Sequence, residues 1–460
     1  MSTFRRPSEV VKYSIWGAIT GIGIGCIGAL FQLVIHWILL GKLRFFGWGE
    51  GHPILKLIVC VLLSTLFIVV AILIMKKFAP ETNGSGVPHV EGVLEGKVQM
   101  NWKRILPVKF FAGIFALSSG LVLGREGPTI QMGAAIGQMF GERFKLDKQL
   151  MMCLIAAGAG AGLGTAFNAP LAGILFVIEE MRHQFDYSFK SFQAVIIACV
   201  CADICLRVIF HSAGFDLRAI ADIVMSSYES PAIGSYWLFI ICGICFGVMG
   251  VLFNRYLVHY LNFFARLPKK RYWQLIVVIG IVAGVCSIYF PDAVGGGYSE
   301  IPKALHNQIP ILLLVALIVI RMFTTCVSYG TGIPGGIFAP LLAIGTTFGM
   351  LYGLICNFLM PELIPYPQVF AVAGMAALFT AAVGAPLTGI VLVVEMTMNF
   401  QLILPLILTC FSATIAAICM GAMPIYSTLL ERTLVMKKKK TLYLHGASTR
   451  KFWSTFHWRS

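Results

Sequence analysis

Residues 105–137 read ILPVKFFAGIFALSSGLVLGREGPTIQMGAAIG. Two apolar segments meet at Gly124-Arg125-Glu126-Gly127-Pro128, where a carboxylate stands between glycines and a proline is placed to open the second segment. In lipid, broken helices and buried acids are tolerated mainly where they line a site. Glu126 is therefore the first candidate functional residue.

The rest of the chain supplies the lipid setting. Of 460 residues, 58% are hydrophobic and 12% charged, and mean hydropathy is +0.85; soluble domains carry about 25% charged residues. From Met322 to Leu430 only Glu362 and Glu395 interrupt an uncharged run. At roughly 20 residues per crossing, such a chain spans a bilayer many times. The expectation is an all-α polytopic membrane protein.

The net charge of +15 sits largely at the ends, with Arg5, Arg6 and Lys12 at one and Lys437–Lys440, Arg450, Lys451 and Arg459 at the other. The positive-inside rule then puts both termini in the cytoplasm, and the tail can touch anionic lipid head groups. No aromatic-basic platform accompanies the charge, so a nucleic-acid role is excluded. No small-residue cleavage pattern follows the first apolar run, which argues against a signal peptide. Thirteen cysteines are scattered through apolar segments, and the closely spaced Cys199, Cys201 and Cys205 form no CxxC pair; they read as small core residues rather than metal ligands or a disulfide framework.

Two echoes divide the chain. Asn168-Ala169-Pro170-Leu171-Ala172-Gly173-Ile174 recurs as Gly384-Ala385-Pro386-Leu387-Thr388-Gly389-Ile390, and each copy leads to an acid, Glu179 or Glu395. Upstream, Gly124, Pro128, Gly133 and Gly137 fall on Gly336, Pro340, Gly345 and Gly349. The same order and nearly the same register imply a duplication, with residues 1–212 and 236–435 as the halves, 213–235 as linker and 436–460 as a basic tail. Short Gly/Pro-interrupted segments at matching positions of two halves point to a transporter site at the midplane. Similarity by itself leaves open whether the repeats are inverted or parallel. The small-residue run Ala156–Gly164 reads as close helix packing.

Three loops share the design of the first. Gly84-Ser85-Gly86-Val87-Pro88, Gly124–Pro128 and Gly335-Gly336-Ile337-Phe338-Ala339-Pro340 each free the backbone with glycine and open a helix with proline. Each leaves unpaired N–H groups and a positive helix end, and such ends attract anions. If they converge, they form an anion site with no buried lysine. Ser85 can add a hydroxyl, and Met423-Pro424-Ile425-Tyr426 opens a last short helix carrying a phenol. Neutral donors bind a transported anion without trapping it.

These motifs, with the late Tyr426, resemble the CLC chloride channels and chloride/proton antiporters, in order and spacing, up to about Thr433. AFNAPLAGILFVIEE at 166–180 is similar to the bacterial antiporter branch. The resemblance implies two inverted-topology repeats of tilted and broken helices, a homodimer with one pore per subunit, and a multi-pass protein of the bacterial inner membrane. It implies chloride donors from the Ser85 and Tyr426 side chains and the Ile337 and Phe338 backbone. It makes Glu126 the gating glutamate, supported by Arg125 and Gly127, and Glu180 the inner proton-transfer glutamate. The short tail past Met436 leaves no room for a CBS pair, and no cofactor or metal is expected.

The resulting expectation is exchange of chloride for protons rather than enzymatic chemistry. A passive voltage- or pH-gated channel of the same family is the alternative, and the acid at Glu180 favours exchange. Glu179 and Glu395 are repeat mates with a shared structural role. Arg125 and Lys109 read either as field-setting cations near the outer route or as structural pairs. An intramembrane hydrolase using Ser85 needs a general base; Met322–Leu430 has no histidine, and His89 reads more simply as interfacial.

Overall fold

A computed structural model describes residues 7–48, 51–181, 188–215 and 231–444. The first half forms α1 (Pro7–Trp48), α2 (Pro53–Phe78), α3 (Val87–Leu94), α4 (Trp102–Ser118), α5 (Glu126–Arg143), α6 (Lys148–Phe167), α7 (Pro170–Glu180) and α8 (Phe189–Ser212). The second half repeats the series as α9 (Tyr236–Arg266), α10 (Lys269–Tyr289), α11 (Glu300–Leu305), α12 (Ile311–Gly330), α13 (Phe338–Leu359), α14 (Gln368–Val383), α15 (Pro386–Thr397) and α16 (Ile403–Cys419). α17 (Ile425–Leu444) follows without a counterpart. Among the described residues, nine helices are long and apolar enough to cross a membrane. The protein is a multi-pass, all-helical membrane protein.

Matching residues end and start matching helices. Asn168 (φ 56°) and Gly384 (φ 87°) both take the left-handed conformation that closes α6 and α14, their N–H groups donating to the Gly164 and Thr380 carbonyls. Pro170 and Pro386 then open α7 and α15, where a missing N–H costs nothing. The halves also pack alike: α5 lies on α6 as α13 lies on α14, and α1 on α8 as α9 on α16.

Lipid tails are as apolar as leucine, so close contact between helices supplies the attraction. A Cβ on Gly133 would lie 2.0 Å from the Gly158 carbonyl oxygen, and one on Gly345 would lie 2.3 Å from that of Gly374. Ala156–Gly164 is packed as its composition indicates: Gly158 meets Gly133, Gly160 meets Gly173 and Gly162 meets Thr129.

The halves are inverted. Glu395, near the end of α15, accepts the Leu171 and Ala172 N–H groups at the start of α7 at 3.0 and 2.8 Å. Glu179, at the end of α7, accepts the Leu387 and Thr388 N–H groups at the start of α15 at 2.9 and 2.7 Å, and the Thr388 hydroxyl at 2.7 Å. Repeat mates that cap each other's N-termini must run antiparallel. The repeat mates Gly124 and Gly336 likewise form a two-residue antiparallel bridge, each N–H donating to the other's carbonyl at 2.8 and 2.7 Å.

α17 differs from the short last helix expected at Pro424. It runs for 20 residues and carries Lys437–Lys440 within it, because no glycine or proline between Ile425 and Leu444 stops it. Most of the linker 213–235, the tail beyond Leu444, and Arg182 and His183 next to Glu180 lie outside the described residues.

Candidate functional site

Four helix starts meet at the centre of the molecule: α3 behind Ser85, α5 at Glu126, α13 behind Ile337, and α17 at Ile425-Tyr426. The first N–H groups of a helix have no carbonyl one turn earlier to accept them. Ser85, Glu126, Ile337, Phe338 and Tyr426 are all fully buried. The Phe338 and Tyr426 rings stack with centroids 5.7 Å apart. A Cβ on Gly127 would lie 2.6 Å from Ser85 Oγ, so only glycine lets α5 approach the serine. Ser85 and Tyr426 sit close enough for their hydroxyls to interact, yet neither oxygen completes a hydrogen bond with a described partner. The sequence thus brings together two unspent hydroxyls and a positive helix end.

The loops that carry these groups are tied to each other. Gly335 N–H donates to the Gly84 carbonyl at 3.0 Å, and the Gly124–Gly336 bridge joins the other two. Lys109, fully buried, donates to the Thr82 and Gly84 carbonyls at 2.9 and 2.7 Å. It is a brace behind the Ser85 loop, the structural of its two readings. Tyr329 Oη accepts the Ser85 N–H at 3.3 Å.

Glu126 occupies the mouth of this cradle. Its Oε2 lies near Gly336 and the Ala339 N–H, over the start of α13, without completing a bond there. Its Oε1 accepts a 2.5 Å hydrogen bond from Tyr298 Oη. The Arg125 guanidinium lies 4.6 Å from the Tyr298 ring centroid, a cation–π contact. Tyr298 is in turn delivered by a fixed loop. Fully buried Arg321 donates to the Asp292 and Gly295 carbonyls at 2.8 and 3.1 Å and pairs with buried Glu300 at 2.8 Å. Gly297, at φ 92°, has no space for a side chain between Ala343 and Arg321.

On the other side of the aromatic pair, Phe176 of α7 packs edge-on to Phe338 with centroids 6.0 Å apart. Glu180 lies four residues further along the same helical face. Its carboxyl is within hydrogen-bonding reach of buried Glu91 on α3. A bond between two carboxyl groups requires a proton on one of them.

Tyr298 and Glu91 were missed by sequence reasoning. Tyr298 follows three glycines in a loop with no echo in the first half, and Glu91 is one turn past the Ser85 loop on an apolar helix, which was the available signal. His89 is turned to Gln131, whose Nε2 lies 3.3 Å from His89 Nδ1. No described histidine reaches Ser85 Oγ, so the base required by the hydrolase reading is missing from this geometry. Among the described residues, no cluster of His, Cys, Asp or Glu is arranged to hold a metal ion.

Inverted halves of broken helices, closing their N-termini around a buried site, define a membrane transport protein of the anion-pathway type. The family model described as voltage gated chloride channel matches residues 67–417, and the chain belongs to that family. It is 45% identical over 433 residues to the H(+)/Cl(-) exchange transporter ClcA of Vibrio parahaemolyticus, covering 93% of this chain and 91% of that protein. It is 44% identical to the protein of the same name in Vibrio cholerae, over 95% of this chain and 92% of that one. Among solved structures, a slow cyanobacterial Cl-/H+ antiporter superposes with a TM-score of 0.87 at 39% identity, over 92% of this chain and 98% of that one.

Proposed function

We propose that this chain is a secondary active transporter exchanging chloride for protons across the bacterial inner membrane, with both termini cytoplasmic. The observation that carries the reading is a carboxylate, Glu126, seated at the mouth of a cradle of neutral donors, with a second acid, Glu180, beyond it. In this reading Ser85 Oγ, Tyr426 Oη and the Ile337 and Phe338 N–H groups hold chloride. They do so through dipoles rather than a full cation, so the ion can leave. Glu126 competes with the anion for the α13 end: protonated, it yields the place to chloride; ionised, it occupies it. Arg125 holds Tyr298, and Gly127 leaves room for Ser85.

Glu180, with Glu91 as its partner, is the inner proton station. A passive channel has no use for this second acid, and relatives named as exchange transporters support the same choice. We assign the halves to 1–212 and 236–435, with 213–235 as linker and 436–460 as a basic tail, and the working unit to a homodimer with a pathway in each subunit. The reading treats the protein as a carrier and not an enzyme.

The direct test of the gate is Glu126→Ala in reconstituted vesicles. Chloride flux persists and proton movement stops if the reading holds; proton transport that continues in the variant contradicts it.

A further inference from the structure

A cavity lies away from the anion pathway, on the lipid-facing flank. It is a cleft of about 320 Å³ between the end of α9, α10 and α12, floored by Gly120, Leu121 and Val122, with an almost wholly apolar lining. That volume is in the range of small-ligand sites. Its rim, including Phe263, Val278, Val282 and Phe323, is exposed and belongs to membrane-spanning helices, so the medium that enters is hydrocarbon.

One end of the cleft is charged. On α10, Leu275, Val278, Val282 and Cys286 line it, and Arg271 stands one turn before Leu275 on the same helical stripe. Exposed Lys269, Lys270 and Arg271 crowd that end. Lys76 adds positive charge from the side of α10 that packs on α2, where Gly280 and Gly284 meet Thr65 and Val61; its Nζ is 3.7 Å from the Tyr272 ring centroid and close enough to Lys269 for mutual repulsion. Among the described residues these four cations have no carboxylate partner. Such a cluster at the head of a bilayer-buried apolar cleft is complementary to a molecule with an anionic head and a hydrocarbon tail.

We infer that this cleft is a binding site for an anionic phospholipid, with its phosphate at Arg271 and one acyl chain lying against α10. The chain end then rests on the loop that leads to the gate. Val122 N–H donates to Ser328 Oγ at 3.2 Å, and both residues line the cleft. From Val122 the backbone reaches Gly124 and Glu126 within a few residues. Occupancy of the cleft therefore bears on the loop that positions the carboxylate.

The test uses the full-length protein in phosphatidylcholine vesicles containing phosphatidylglycerol with a photoactivatable group at its chain end. Cross-links should concentrate on Leu121–Val122 and the Val278–Cys286 stripe. They should fall several-fold in Val282→Trp, which fills the cleft, and in the combined Lys269→Gln, Lys270→Gln, Arg271→Gln variant. The same photoprobe on phosphatidylcholine should label these residues several-fold less. Val278→Phe serves as a second plug should Val282→Trp not elute as a folded protein. Labelling spread evenly over the apolar flank, unchanged by head group or by the variants, overturns the site and leaves ordinary annular lipid. A cross-link from this face to a second copy of the chain overturns it too.

Discussion

Tyr298 Oη donates to Glu126 Oε1 at 2.5 Å, so the acid of the first half is tied down by a hydroxyl of the second. Arg321 and Gly297 fix the loop that brings the tyrosine there. A hydrogen bond to a charged group contributes roughly 1.5–3 kcal/mol. Tyr298→Phe removes that contribution from the closed arrangement while preserving the ring and its contact with Arg125. Turnover measured by chloride efflux should rise, by about tenfold where opening limits the rate, with proton coupling retained. An unchanged rate would mean that the bond does not restrain the carboxylate.

The two inner acids make a separable pair. Glu180→Val should abolish proton movement while chloride still passes. Glu91→Gln keeps a polar partner for Glu180 and should lower the proton-to-chloride flux ratio only partly. Simultaneous recording of both fluxes decides this, and an unaltered ratio in both variants removes the pair from the proton route.

The exchanged caps between α7 and α15 give a stability prediction. Glu395→Gln and Glu179→Gln each replace a carboxylate that accepts two backbone N–H groups with a neutral amide. Both carboxylates are partly exposed, so each loss should be near the low end for charged hydrogen bonds, about 1–2 kcal/mol. For a chain of 460 residues the thermal midpoint in detergent should fall by about 1–2 °C. Glu179→Gln should fall further, because Thr388 loses a hydroxyl contact as well. Equal midpoints for both variants and the wild type would show that the caps are incidental.

Acid stability should report on Asp147, which caps α6 outside the membrane. Burial works to raise its carboxyl, but the Leu150 N–H at 2.9 Å and the Lys12 ammonium at 3.1 Å outweigh it and hold the group below 3.8. A depressed carboxyl stabilises the fold above its unfolded value and loses that contribution as pH falls through the folded value. Asp147→Asn should lower the midpoint at neutral pH and converge on the wild type on acidification below 3.8. The difference should be small, since solvent screens the exposed pair with Lys12; a gap that widens in acid has the wrong sign.

What could be read from the chain was local or repeated. Gly84–Pro88, Gly124–Pro128 and Gly335–Pro340 announce broken helices because glycine and proline act within a few residues. The echo of Gly124 in Gly336 even picked out two residues that bond to each other. The echoes by themselves did not show the inversion, which entered only through the family resemblance, since it depends on Glu179 and Glu395 reaching helices more than 200 residues away. Tyr298 was hidden for the same reason: its target, Glu126, lies 172 residues earlier. Lys109 was open to two readings because only the fold shows its ammonium turned to the Thr82 and Gly84 carbonyls.

The central claim is that anion and proton movements are obligatorily linked through Glu126 and Glu180. Purified protein in vesicles, given an outward chloride gradient and no proton gradient, tests it with a pH electrode. Chloride efflux should drive protons inward, acidifying the lumen against the growing pH difference, and Glu180→Val should abolish this movement. Chloride efflux of normal rate with no uphill proton uptake would contradict the account and leave a passive chloride pathway.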